Sequence, residues 1–265
     1  VSSSATDAAP EIHPSAIVDP GARIAASASV GPYSIVGPGV ELGERVRVAS
    51  HVLIERDTRV GEDCVVHHGA VLGTDPQDLK YRGEPSRLEI GPRTTIREYA
   101  TLNRGTGAEG VTRVGSDCLL MAYAHVAHDC VVGDHVIMAN AVELGGHVEI
   151  GSCATVGGVT GVHQFVRIGS HAFIGACSKA TQDIPPYLLV DGRPCEAHGV
   201  NVIGLRRRGF SDEALRRLRK AYRTLYKSSH NIRDAIEEIA AWEETGPEVD
   251  LFVDFVRGSE RGIVS

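Results

Sequence analysis

Long apolar runs are missing from this chain. None approaches the roughly 20 residues that a membrane-spanning helix needs, so stable membrane insertion is not expected. Residues 1–10, VSSSATDAAP, are small and polar. They lack the apolar stretch of a signal peptide and read as a disordered leader. The six cysteines (64, 118, 130, 153, 177, 195) form no CxxC pair and no close-spaced cluster. That argues against a disulfide scaffold or a cysteine-rich zinc site and fits a reducing cytoplasm. Aromatic residues are only 5% and the net charge is −7. An acidic chain without aromatic platforms is a poor candidate for binding nucleic acid. What remains, 42% hydrophobic and 23% charged residues with 30 glycines in 265, is a water-compatible composition with an unusual supply of turns.

The glycines belong to a repeat of six. An aliphatic residue stands at every sixth position from Ile12 to Leu72. The pattern returns in phase at Ile90, Ile96 and Leu102, and runs again from Val114 to Ile174, with Met138 filling one place. Glycine often follows it, as at Gly31, Gly61, Gly133 and Gly151, and a small or β-branched residue lies four places on, as at Ala22, Val52, Ala124 and Ala172. A period of six fits neither an α-helix nor a meander of long strands. It suits a parallel β-helix in which each hexad is one short strand and one corner, and three hexads close a triangular coil of about 18 residues. One coil cannot bury its apolar face, but a stack can. Cys64, Cys118 and Cys130 fall on the small inward position and read as core residues. Two interruptions, 73–89 and 105–113, are expected to leave the stack as loops that each preserve the 18-residue phase. Long loops on a rigid scaffold commonly carry binding residues.

The domains expected are the β-helix over 11–190 and a connection with a small helical domain over 191–265. Ser211, followed by Asp212 and Glu213, is a suitable N-cap. Leu215, Leu218, Tyr222, Leu225 and Tyr226 recur at helical spacing. Segments 231–243 and 247–257 read as two further helices. Between Arg206 and Lys227 nine basic residues face two acids, which is either a solvated helix face or a docking patch for an acidic partner.

Residues 18 apart should share one face of the coil. His128, Gly146 and Gln164 form such a column, with Asp129 and His147 stacked beside it and His163 flanking. The strip is polar with a gap at Gly146, whose N–H could face a reacting oxygen. Three roles are open to it. It could be ordinary surface polarity. It could be a zinc site, since histidine is a common ligand, although a corner should turn His125 and His128 apart. Or it could be general-base catalysis, for which histidine titrates in the right range.

The segments QDLKYRGEPSRLEIG (77–91), REYATLNRGT (97–106), VGSDCLLMAYAHVAHDC (114–130), GGVTGVHQF (157–165), QDIPPY (182–187) and GVNVIGLRRRGF (199–210) closely resemble the UDP-N-acetylglucosamine O-acyltransferase family, which opens lipid A biosynthesis. The resemblance implies a left-handed parallel β-helix followed by C-terminal helices. It also implies a cytoplasmic homotrimer with sites between subunits, needing no cofactor and no metal. The implied reaction moves an R-3-hydroxyacyl chain from acyl carrier protein to the 3-hydroxyl of UDP-N-acetylglucosamine. His128 falls at the family's catalytic base and Gly146 at its oxyanion amide. Asp78 and Lys80 match substrate contacts in the first loop. His125, His147, His163 and Gln164 match residues lining the sugar and acyl sites. Asn201, Arg207 and Arg208 match positions near the nucleotide. The basic helix would then meet the acidic carrier protein. Two departures stand out: Ile203 replaces a glutamate that some relatives have near the nucleotide, and Ala176 lies where the family varies the floor of the acyl groove. An N-acyltransferase of the same fold, acting on an amino-sugar amine or a 3-amino UDP-sugar, is the alternative.

Overall fold

The computed structural model describes residues 9–107 and 110–265. The leader expected over 1–10 lies, for residues 1–8, outside the described residues. Short strands stack into three sheets of eleven, nine and eight strands among the described residues. Every pair is parallel except the last in the first sheet. The chain therefore coils as a left-handed parallel β-helix. Successive hexads go to the first, second and third sheet in turn. The second sheet, for example, holds Ile54, Leu72, Leu102, Val126, Leu144 and Val162 in register.

Each hexad places two side chains inward. In the hexad of Val126 these are Val126 itself and Cys130, both fully buried. The three inward cysteines donate their thiols to glycine carbonyls of the next coil, as Cys130 Sγ does to Gly145 O at 3.2 Å. Burial pushes the Cys130 thiol up to about 12, so it is inert packing. From Tyr33 onward, the sharp corner comes in most hexads from one residue in the left-handed region. These include Asp129 at φ 59°, His147 at 60° and Phe165 at 66°. A residue with a Cβ pays about 1–2 kcal/mol there. The stack offsets it, because the corner amide donates to the coil below: His147 N to His128 O and Phe165 N to Gly146 O, each at 3.0 Å.

One expectation about the loops is corrected. Neither loop alone preserves the 18-residue phase. Across the first, partners are 30 residues apart (Val60 with Ile90, Leu72 with Leu102). Across the second they are 24 apart (Ile90 with Val114, Leu102 with Val126). The six-residue phase survives because the insertions are twelve and six residues long. Together they equal one full coil, which is why the ruler still reads correctly beyond them. Both loops leave from the corner between the second and third sheets.

Beyond the repeat, strands 188–191 and 196–200 form an antiparallel hairpin on the first sheet. The helices are α1 (Val202–Arg207), α2 (Asp212–Lys227), α3 (Ile232–Ala240) and α4 (Pro247–Arg257). Ser211 caps α2 through Ala214 N, as its sequence suggested, and Leu215, Leu218, Tyr222 and Leu225 are buried. The hairpin and α1 carried no clear signal, being short and lacking a sustained period. The C-terminal segment closes the top of the coil around buried Asp183, whose carboxylate accepts from Arg167 N at 2.9 Å and Ser259 Oγ at 2.8 Å.

Candidate active site

The corner between the second and third sheets carries His128, Asp129, Gly146, His147, Gln164 and Phe165 on three consecutive coils. His128 and Asp129 are largely enclosed, with side chains 12% and 14% exposed. His128 Nδ1 lies 2.8 Å from Asp129 Oδ2. An ionised carboxylate only accepts, so Nδ1 is the donor of this bond, and in the neutral ring the lone pair is on Nε2. Asp129 is itself held by Thr106, whose amide donates to Oδ1 at 2.9 Å and whose hydroxyl donates to Oδ2 at 2.6 Å. Burial pushes the Asp129 carboxyl up. The Thr106 hydroxyl, the His128 ring and the Thr106 amide together outweigh that and hold it below the usual carboxylate range.

Gly146 lies against the face of the His128 ring. A Cβ built there would stand 2.5 Å from Cε1 and 2.7 Å from Nε2, so only glycine leaves the ring its place. Its amide donates to no backbone acceptor among the described residues, whereas its carbonyl accepts from Phe165 N. The same hexad position elsewhere is Pro32, Pro38 or Pro92, residues with no N–H to lose. The fold leaves this amide free at most corners, and glycine uncovers it.

His147 stacks on Phe165 (centroids 4.6 Å apart, 7° between planes) and meets His128 edge-on at 5.2 Å. His125 points outward from the strand His125–Val126, with Nδ1 2.7 Å from Thr101 Oγ1. Burial, with a contribution from His128, holds its pKa below the ordinary histidine value. His163 and Gln164 are exposed. His163 Nδ1 is 3.2 Å from an Arg261 nitrogen of the C-terminal segment. Arg261, Thr106 and Asp129's role as a clamped partner were not singled out in the sequence. Thr106 stands where the hexad pattern breaks, and that break was the available signal.

The remaining candidates lie elsewhere. Asp78 and Lys80 sit in the first loop, where Asp78 Oδ1 accepts from Lys80 N at 2.9 Å. Among the described residues they make no hydrogen bond to the histidines. Asn201, Arg207 and Arg208 line a hollow of about 660 Å³ with Ile137, Phe173 and Ile203. Its floor is the outer face of the first sheet, opposite the His128 corner. Asn201 works there as the N-cap of α1, accepting from Gly204 N and donating to His171 O. Arg207 and Arg208 are exposed and have no ion-pair partner among the described residues. Ile203 is 70% exposed. One subunit does not unite the hollow with the histidine corner.

His128, Asp129 and His147 offer ligand atoms within 4.8 Å of one another, enough to hold a metal ion. The Asp129 oxygen nearest the rings already accepts two hydrogen bonds, and His128 Nδ1 carries a proton. These hydrogen bonds hold the His128 ring in one orientation against Asp129.

A coil of hexads is the fold of the hexapeptide-repeat proteins, and residues 112–146 match the six-repeat bacterial transferase hexapeptide model, which puts the chain in that class. Residues 183–264 match the model for domain 2 of UDP-N-acetylglucosamine O-acyltransferase. The chain is 48% identical over 258 residues to the acyl-[acyl-carrier-protein]–UDP-N-acetylglucosamine O-acyltransferase of Burkholderia orbicola, covering 96% of this chain and 98% of that one. The LpxA structure from Acinetobacter baumannii superposes with a TM-score of 0.92 at 44% identity, covering 96% and 99% of the two chains. The UDP-N-acetylglucosamine acyltransferase of Francisella novicida does so at 0.91 and 36%, covering 96% and 93%. The chain belongs to the UDP-N-acetylglucosamine O-acyltransferase family.

Proposed function

We propose that the protein transfers an R-3-hydroxyacyl chain from acyl carrier protein to the 3-hydroxyl of UDP-N-acetylglucosamine, with His128 as general base. The observation that carries this reading is the His128 ring, tied through Nδ1 to Asp129 with Nε2 over Gly146. Nε2 takes the proton of the sugar hydroxyl, whose oxygen attacks the thioester carbonyl carbon. The tetrahedral oxyanion is received by the Gly146 N–H. Collapse breaks the C–S bond, and the imidazolium returns its proton to the departing thiolate. The products are the sugar ester and the free carrier thiol.

Asp78 is suited to accept from the acyl 3-hydroxyl, and Lys80, His125, His147, His163 and Gln164 line the substrates. Arg207 and Arg208, without an ion-pair partner among the described residues, are cations suited to a nucleotide diphosphate, with Asn201 ordering the turn that presents them. The hollow and the histidine corner lie on opposite sides of one subunit, so a site using both needs neighbouring copies. A homotrimer satisfies that. Exposed Arg216, Arg219, Arg223 and Lys227 on α2 supply a basic surface for the acidic carrier. No helix among the described residues is long and apolar enough to cross a membrane, and work in the cytoplasm is part of the proposal.

The test is acyl transfer from a ladder of 3-hydroxyacyl carrier proteins to UDP-N-acetylglucosamine and to amine-bearing analogues. His128→Ala should leave the oligomer folded and lower turnover by roughly 10² to 10⁴. Near-normal turnover would remove His128 as the base, and transfer only to amines would favour N-acylation.

A further inference from the structure

Arg104 heads the largest fully buried side chains of the protein, and a buried cation must be satisfied by specific partners. Those partners all belong to the first loop. Its guanidinium donates to Gly73 O and to the Asp75 carboxylate, and reaches the Tyr81 hydroxyl at 3.3 Å. Its backbone amide donates to Thr74 O at 3.0 Å. The preceding residue adds two bonds, Asn103 Nδ2 to Thr74 Oγ1 at 2.7 Å and to Asp75 O at 3.1 Å. Two residues further on, Thr106 grips both oxygens of Asp129. Gly105 between them is packed tightly, since a Cβ there would stand 2.7 Å from Asp129 Oδ1 and 2.3 Å from the Gly110 carbonyl carbon.

We propose that residues 103–106 form a brace with two arms: Thr106 is a positioning residue for the His128–Asp129 pair, and Arg104 is a positioning residue for the loop that carries Asp78 and Lys80. The inference rests on the base assignment made above. Thr106 donates to the same Asp129 oxygen that accepts from His128. Its hydroxyl therefore fixes where that oxygen sits and how much of its electron density the imidazole ring can draw. Arg104 acts at a distance from the base: it pins the loop's first three residues and, through Tyr81, its middle. The titratable groups around the pair are His125, on the strand that leads into the corner, and His147 on the next coil, and neither hydrogen-bonds to Thr106 among the described residues.

The two arms predict opposite kinetic signatures in the full chain, measured between pH 5.5 and 9. Thr106→Val removes the hydroxyl and keeps the shape. It should lower kcat about tenfold or more with the KM for acyl carrier protein within about twofold. The freed carboxylate holds the imidazolium more firmly, so the acid limb of the rate profile should move up by about half a pH unit. Thr106→Ser keeps the donor and should return both values towards the parent. Arg104→Met should raise the KM for acyl carrier protein about fivefold or more while kcat stays within about threefold. If that variant does not fold, Asp75→Ala removes the ion pair from its exposed end and should give the same split. A Thr106→Val profile superimposable on the parent, failure of serine to rescue, or a loop variant without the KM change would overturn the brace. His128→Ala separates the two ideas. Activity retained there sinks the base assignment, whereas an inactive His128→Ala beside an unaltered Thr106→Val sinks the brace alone.

Discussion

Replacing Gly146 with alanine adds one methyl group, and the structure gives it no room. The new Cβ would stand 2.5 Å from His128 Cε1, where carbon atoms prefer about 3.5–4.0 Å. The ring must retreat by roughly 1 Å. That stretches the 2.8 Å bond to Asp129 beyond hydrogen-bonding range and draws Nε2 away from its target. A misplacement of about 1 Å can cost on the order of 10² in rate, or about 2.7 kcal/mol of barrier. Stability provides a second readout with a change of sign. Gly146 is outside the left-handed region, so alanine itself should stabilise by about 0.4–1 kcal/mol through the unfolded chain, while the clash costs about 1–3 kcal/mol. Gly146→Ala should therefore lower the melting temperature in the parent and raise it in His128→Ala, where the ring is gone. Acyl-transfer kinetics and thermal unfolding at fixed protein concentration make the comparison. A kcat within twofold of the parent, or the same stability change in both backgrounds, would refute the contact as the reason for glycine.

Activity should survive dialysis against a strong chelator, because the Asp129 oxygen and His128 Nδ1 are already committed to each other; loss restored by a divalent ion would show the trio holding a metal. Burial depresses the pKa of His125, and burial with Arg208 nearby depresses that of His171. The unfolded chain then takes up protons that the folded one refuses, so stability should fall as pH drops through about 6.5 towards the lower folded values. Urea midpoints from pH 5 to 8 would show this slope, and His171→Gln should flatten it. Leu144, 1% exposed in the column between Val126 and Val162, should cost about 2–5 kcal/mol on truncation to alanine, and an unfolding curve matching the parent would contradict its burial.

The repeat was legible because period six is imposed by the coil at each step, on residues as unlike as Met138 and Val162. His128 with Gly146 followed from the same ruler, since stacking turns an 18-residue spacing into contact. The two loops misled it: their lengths cancel over a whole coil, so a phase kept at the ends concealed steps of 30 and 24 between strands. Thr106 could not be paired with Asp129 from spacing, because the intervening loop follows no period. Asn201 was expected near nucleotide and is bound first as a helix cap, a role that any Asn before a helix can take.

The corner residues tie the length of the molecule to the direction its chemistry faces. Each hexad turns the chain by a third of a revolution, so adding or removing one would swing His128 to a different side while the loops below stayed put. Only whole coils, each about 4.8 Å tall, leave the facing unchanged. The rod can therefore grow or shrink only in quantised steps of three hexads, whereas a change in loop length leaves the facing of the coil as it was.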